Sequence, residues 1–189
     1  MPDSYSFAVD VFQSIGERLS AKAAELELMT GTAAFHGWLV GEAFLACKGR
    51  QASYPFCEVE ATPTYASEEV ASGGDSDRNA GDLRVGGPDG GANHCWLFAE
   101  FVVVGDGAGR EWQPKVVAAA ERLKRLGWKK SAALVVAVGV NTTGSLSDGV
   151  GWDCPALTAP VTIPLPDGGS VSVTAYDIKC DGADTLTRA

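Results

Sequence analysis

An apolar run holding a single carboxylate, His94-Cys-Trp-Leu-Phe-Ala-Glu-Phe-Val-Val-Val104, is hydrophobic on both faces when read with the two-residue period of a strand. Leu97, Ala99, Phe101 and Val103 fall on one side, and Trp96, Phe98, Glu100, Val102 and Val104 on the other. Double-sided apolarity predicts a central strand covered by helices on both faces. Ahead of it, Ala8, Phe12, Ile15, Leu19, Ala23 and Leu26 recur at helical spacing, predicting one amphipathic helix over residues 3–29. A second helix is expected from Thr32 to Cys47, carrying Phe35, Trp38, Leu39, Phe44 and Leu45.

The stretch from Tyr54 to Tyr65 alternates weakly and predicts a first strand. Residues 66–80 are small and polar and read as a loop. Asp82-Leu-Arg-Val85 predicts a short strand, joined through the glycine-rich segment 86–93 to the long apolar one as an antiparallel hairpin. A helix is expected to open near Pro114 and stop near Gly127, followed by a buried strand from Ser131 to Val140. A helix between two such strands predicts a crossover to a parallel neighbour. Residues 141–156 read as loop, with Trp152 anchored in a pocket. Val161–Leu165 and Val171–Tyr176, around Asp167-Gly-Gly, predict a C-terminal hairpin whose first strand lies at an edge because of Pro164. The last residues, 181–189, read as a frayed end. The expectation is therefore one α/β domain, a mixed sheet flanked by helices.

At 189 residues the chain has room for one full core and little for two. No apolar run approaches a membrane span, and the start lacks a signal peptide's basic and apolar regions, so the expected location is the cytoplasm, with no membrane partner. Five scattered cysteines without CxxC spacing predict reduced, buried thiols rather than a disulfide framework or a zinc site. The net charge of −9 argues against a chain coated for nucleic acid, yet residues 110–130 hold seven basic and two acidic side chains. Lys124, Arg125, Lys129 and Lys130 in that segment are the candidates for contact with nucleic acid or an acidic partner; the bland reading is a solvated helix face.

Two carboxylates lie where apolar residues are expected. Glu100 interrupts the long strand, and Glu42, four residues after Trp38 and three after Leu39, shares their apolar side. Burying either without a cation, metal or donor costs several kcal/mol. Asp82 is brought beside Glu100 by the expected hairpin. The order helix with Glu42, strand, strand with Asp82, strand with Glu100, helix, strand resembles the PD-(D/E)xK, or restriction-endonuclease-like, superfamily over about residues 30–140. The resemblance implies an α-β-β-β-α-β core, here with an extra C-terminal hairpin. It further implies that Asp82 and Glu100, with 17 residues between them, converge with Glu42 on Mg²⁺ for phosphodiester hydrolysis.

The sequence departs from that family at Val102, where the Glu-x-Lys lysine would stand. Valine can neither polarise a water nor offset the charge of the site. Lys48, Arg84 or Lys115 then become substitutes, and Lys115, at the start of the helix after the long strand, is the preferred catalytic cation. The structural alternative is that Glu42 pairs with Arg84 or a lysine, Glu100 lies at a solvated edge and Asp82 caps a turn. Glu60 shares a strand face with Glu58 and is a further candidate carboxylate. His36 and the His94-Cys95 pair lack a third orienting group for a Cys/His nucleophile, and the glycine-rich segments contain no GxGxxG or GxxxxGK[ST]. Two function classes result: a metal-dependent nuclease with a relocated lysine, or a catalytically inactive binding or interaction protein on the same fold, acting through nucleic acid, a protein partner or a homo-oligomer.

Overall fold

The computed structural model describes residues 4–51, 58–63, 81–86, 96–105, 112–124, 131–141 and 155–178. Helices α1 (Ser4–Ser20), α2 (Ala23–Met29), α3 (Phe35–Gly49) and α4 (Trp112–Lys124) accompany strands β1 (Glu58–Ala61), β2 (Leu83–Gly86), β3 (Trp96–Val104), β4 (Ser131–Val140), β5 (Val161–Pro164) and β6 (Ser170–Ile178). The strands form one curled mixed sheet in the order β1-β2-β3-β4-β6-β5. β3 runs antiparallel to β2 and parallel to β4, the crossover between them being made by α4.

The double-sided apolar reading of β3 holds. Leu97, Ala99 and Phe101 enter a core built with Phe7, Val11, Phe12, Ile15 and Leu19 of α1 and Leu39 and Ala43 of α3. Phe98, Val102 and Val104 enter a second core on the other face, with Trp112, Val116, Ala120 and Leu123 of α4. β4 is buried at every position from Ala132 to Val140, as a near-continuous Ala/Leu/Val run demands. Cys47 is buried in the first core, and burial pushes its thiol up to about 12, so it packs as a small hydrophobe.

Several boundaries differ from the sequence pattern for local reasons. The expected helix over residues 3–29 is two helices. Lys22 N–H bonds back only three residues to the Leu19 carbonyl, and the Ser20 hydroxyl donates to the Gly16 carbonyl, so the ladder tightens and restarts at Ala23. The apolar stripe survives the break, with Leu26 fully buried. α3 begins at Phe35 rather than Thr32, because Gly31 adopts a positive φ of 77° and the chain turns there. β1 ends at Ala61, before Thr62 with φ 50°, and the rest of the expected strand lies outside the described residues.

The C-terminal hairpin is present, but it is not an appendage. β6 pairs along nearly its whole length with β4 and so extends the central sheet, leaving β5, with Pro164, at the edge as expected. Gly168, φ 88°, makes the turn, and Gly169 N–H donates to Asp167 Oδ1 at 2.8 Å. The expected loop 66–80, His94-Cys95, the Gly127 stop, Trp152 and the tail 181–189 lie outside the described residues. Among the described residues no helix is long and apolar enough to cross a membrane.

The seat of α1 on β5 gives a direct test of this packing. A Cβ on buried Gly16 would stand 3.0 Å from Val161 Cγ2, whereas nothing lies within 4 Å of one on Gly41 in α3. Gly16→Leu is therefore expected to cost about 2 kcal/mol by overpacking. Gly41→Ala should add about 0.5–1 kcal/mol through helix propensity. Urea denaturation of the two variants measures both.

Candidate functional site

Leu83 of β2 lies opposite Ala99 of β3, so Asp82 sits one residue before β2, beside Glu100 and Phe101. Among the described residues, β3 has no strand partner on its β2 side beyond Ala99, and Asp82 lies there. Its Oδ2 accepts from the Phe101 N–H at 2.7 Å and lies 3.2 Å from His36 Nε2 in the first turn of α3, while its main-chain carbonyl accepts from Thr62 N–H at 2.9 Å. Asp82 thus precedes β2, bonds the backbone of β3 and holds the His36 ring. The hydrogen bond to Asp82 raises the His36 pKa above its ordinary value, with partial burial opposing it.

Glu100 is 2% exposed, on the α4 side of the sheet between Phe98 and Val102. It is not at a solvated edge. Both carboxylate oxygens accept from Arg122 Nε of α4, at 3.2 and 3.0 Å, and Oε2 also accepts from Arg122 Nη2. A guanidinium fork matches a carboxylate in this bidentate way. Burial raises the Glu100 pKa, Arg122 counters that rise, and the neighbouring Asp82 charge adds to it.

Glu42 points from α3 toward α1, where its Oε2 accepts from Arg18 Nε at 2.6 Å. Its partner is therefore neither Arg84 nor a lysine. Arg84 instead bridges Glu58 at 3.0 Å and Glu60 at 2.6 Å across the β1–β2 pair and lies 4.9 Å over the Trp96 ring. This accounts for the two strand-face carboxylates, including Glu60, without further chemistry.

The candidate carboxylates are consequently distributed. Asp82 and Glu100 are neighbours, but each turns to its own partner, His36 and Arg122; Glu42 is engaged at the α1–α3 interface. Among the described residues no group of three His, Cys, Asp or Glu side chains is placed to hold a metal ion. Val102 is 7% exposed within the α4-side core. Lys115 is exposed on the first turn of α4, and Lys124 pairs with Glu121 at 3.0 Å. Arg125, Lys129 and Lys130 lie outside the described residues.

Three residues that matter here carry little signal in the sequence. Arg18 and Arg122 read as solvated charges on amphipathic helices, and their partners lie 24 and 22 residues away. His36 reads as a lone histidine until the fold brings Asp82 to it.

A cavity of about 440 Å³ opens at the carboxyl ends of the parallel strands β3 and β4. Phe35, Val103 and Val140 line its apolar part, and Thr30, Thr32, His36 and Asn141 its polar part. Ligands in open α/β sheets commonly bind outside the carboxyl ends of strands. No family model, curated protein or solved structure matches this chain.

Proposed function

We propose that this chain is a binding module on a nuclease-like α/β core, with the carboxylates of the metal site engaged in internal ion pairs, rather than a metal-dependent phosphodiesterase. The observation that carries this reading is the Glu100–Arg122 pair. A carboxylate that would anchor Mg²⁺ is buried and doubly bonded to a guanidinium, and the position two residues on is a packed valine. Glu42 is paired with Arg18, and Asp82 is bonded to the His36 imidazole, an ion pair when that ring is protonated. A cation would have to displace Arg122 from a buried carboxylate whose charge is already compensated, so these residues do not fit a metal centre in this arrangement.

The element order supports a nuclease-like origin. α3, β1, β2, β3, α4 and β4 follow the α-β-β-β-α-β sequence of the superfamily, with β1 to β4 adjacent in the sheet. The nuclease reading keeps one specific observation on its side: Asp82 and Glu100 remain on adjoining strand ends, near enough for the Asp82 charge to raise the Glu100 pKa. In that reading Lys115 supplies the cation. The basic segment gives the binding reading a nucleic-acid or acidic-protein partner.

Titration with Mg²⁺ and Mn²⁺, followed by calorimetry and thermal unfolding, separates the two. The expected result is no saturable heat and no rise in Tm. Saturable binding that raises Tm, removed by Glu100→Gln, together with phosphodiester cleavage that Lys115→Ala abolishes, would reinstate the nuclease.

A further inference from the structure

The geometry points to the cavity at the ends of β3 and β4 as a site for a small hydroxylated organic anion, one carboxylate or phosphate group on a compact apolar body. This goes beyond the binding-module reading and uses Asp82 only as the group that holds His36. At about 440 Å³ the cavity falls within the range of small-molecule sites.

Its chemistry follows from which polar atoms are already engaged. Asn141 is fixed at both ends by β6: its N–H donates to the Ser170 carbonyl at 2.9 Å, and its Oδ1 accepts from Ser170 N–H at 3.0 Å. A main-chain N–H can bond only to the amide oxygen, so the orientation is set, and what Asn141 still offers is the NH₂ donor. His36 lines the same cavity, and its ring is held in place by the contact of Nε2 with Asp82 Oδ2 at 3.2 Å. The NH₂ donor, in one cavity with an imidazole, suits an anionic oxygen group.

Thr30 and Thr32 supply the complementary groups of the lining. Their hydroxyls donate to the Glu27 and Met29 carbonyls at 2.7 and 2.8 Å, which leaves them as acceptors for a ligand hydroxyl. Phe35, Val103 and Val140 give the cavity its nonpolar surface. An inorganic anion would use only half of this lining, and a neutral apolar molecule only the other half.

The test uses the full chain with EDTA present, at about pH 6, where histidine carries its proton. Backbone amide shifts are followed by NMR during titration with 4-hydroxybenzoate, phenyl phosphate, neutral 4-hydroxybenzamide and inorganic phosphate. Saturable shifts confined to Thr30, Thr32, His36, Val103, Val140 and Asn141 are expected with either organic anion. The stronger of the two identifies the carboxylate or the phosphate as the favoured group. His36→Gln, which keeps a donor for Asp82, should weaken binding about tenfold. Asn141→Asp, which keeps the acceptor for Ser170 and tolerates the φ of 47°, should weaken it at least as much by placing a negative charge at the anion. No saturable shift, equal binding of the neutral amide or of inorganic phosphate, or unchanged binding by both variants would overturn the proposal.

Discussion

Arg122→Ala is expected to destabilise the protein by about 2 kcal/mol at neutral pH, because it leaves the Glu100 charge buried without its partner. The full cost of stranding a buried charge is larger, but Arg122 is itself 46% exposed, and water entering from that side offsets part of it. The sign with pH follows from Glu100, whose pKa is raised in the folded state by burial. An acid with a raised folded pKa favours folding while protonated, and its cost grows as pH rises from about 4.5 through the folded value. Removing Arg122 raises that value further. The Arg122→Ala deficit should therefore shrink as pH falls and be smallest below about 4.5, where Glu100 is protonated in both states. Urea unfolding of both proteins across this pH range measures it.

Val102→Lys, which restores the residue type of the resembling family, is expected to unfold the protein or cost about 3 kcal/mol or more. The new ammonium would replace a 7% exposed side chain packed among Phe98, Val104, Trp112 and Val116, and it would compete with Arg122 for Glu100 on the same face. No gain in Mg²⁺ affinity should accompany the loss. Denaturation and calorimetry on the variant check the two halves separately. A stable Val102→Lys protein that binds Mg²⁺ would mean that the carboxylates remain available to a cation.

Much of the architecture was legible because burial leaves a direct trace in residue pattern. The two apolar faces of β3 placed it centrally, the Ala/Leu/Val run marked β4, and Pro164 marked the edge strand. The seating of β6 against β4 was not legible, since a hairpin's local alternation does not say which distant strand it joins. The break after Ser20 was hidden by an apolar stripe that continues in phase across it. At the site, the sequence exposed Glu42 and Glu100 as carboxylates in apolar positions but could not choose between a metal and a cation as the compensating charge. That choice is made by Arg18 and Arg122, long side chains that reach across helix–helix and helix–sheet contacts from positions that look solvated. Asp82 was placed correctly beside Glu100 by the hairpin, while its bonds to Phe101 N–H and His36 depend on β2 beginning one residue after it.

The most direct measurement is a double-mutant cycle on Glu100→Gln and Arg122→Ala, with each protein's unfolding free energy determined at neutral pH, with and without Mg²⁺. The account predicts that Glu100→Gln alone changes stability by no more than about 1 kcal/mol, since a neutral isostere still accepts from Arg122. It should recover most of the Arg122→Ala loss, a coupling of at least about 1 kcal/mol, and Mg²⁺ should leave all four proteins unchanged. Additivity within about 0.5 kcal/mol, with the wild-type protein stabilised by Mg²⁺, would contradict the claim that Arg122 holds the place of the metal.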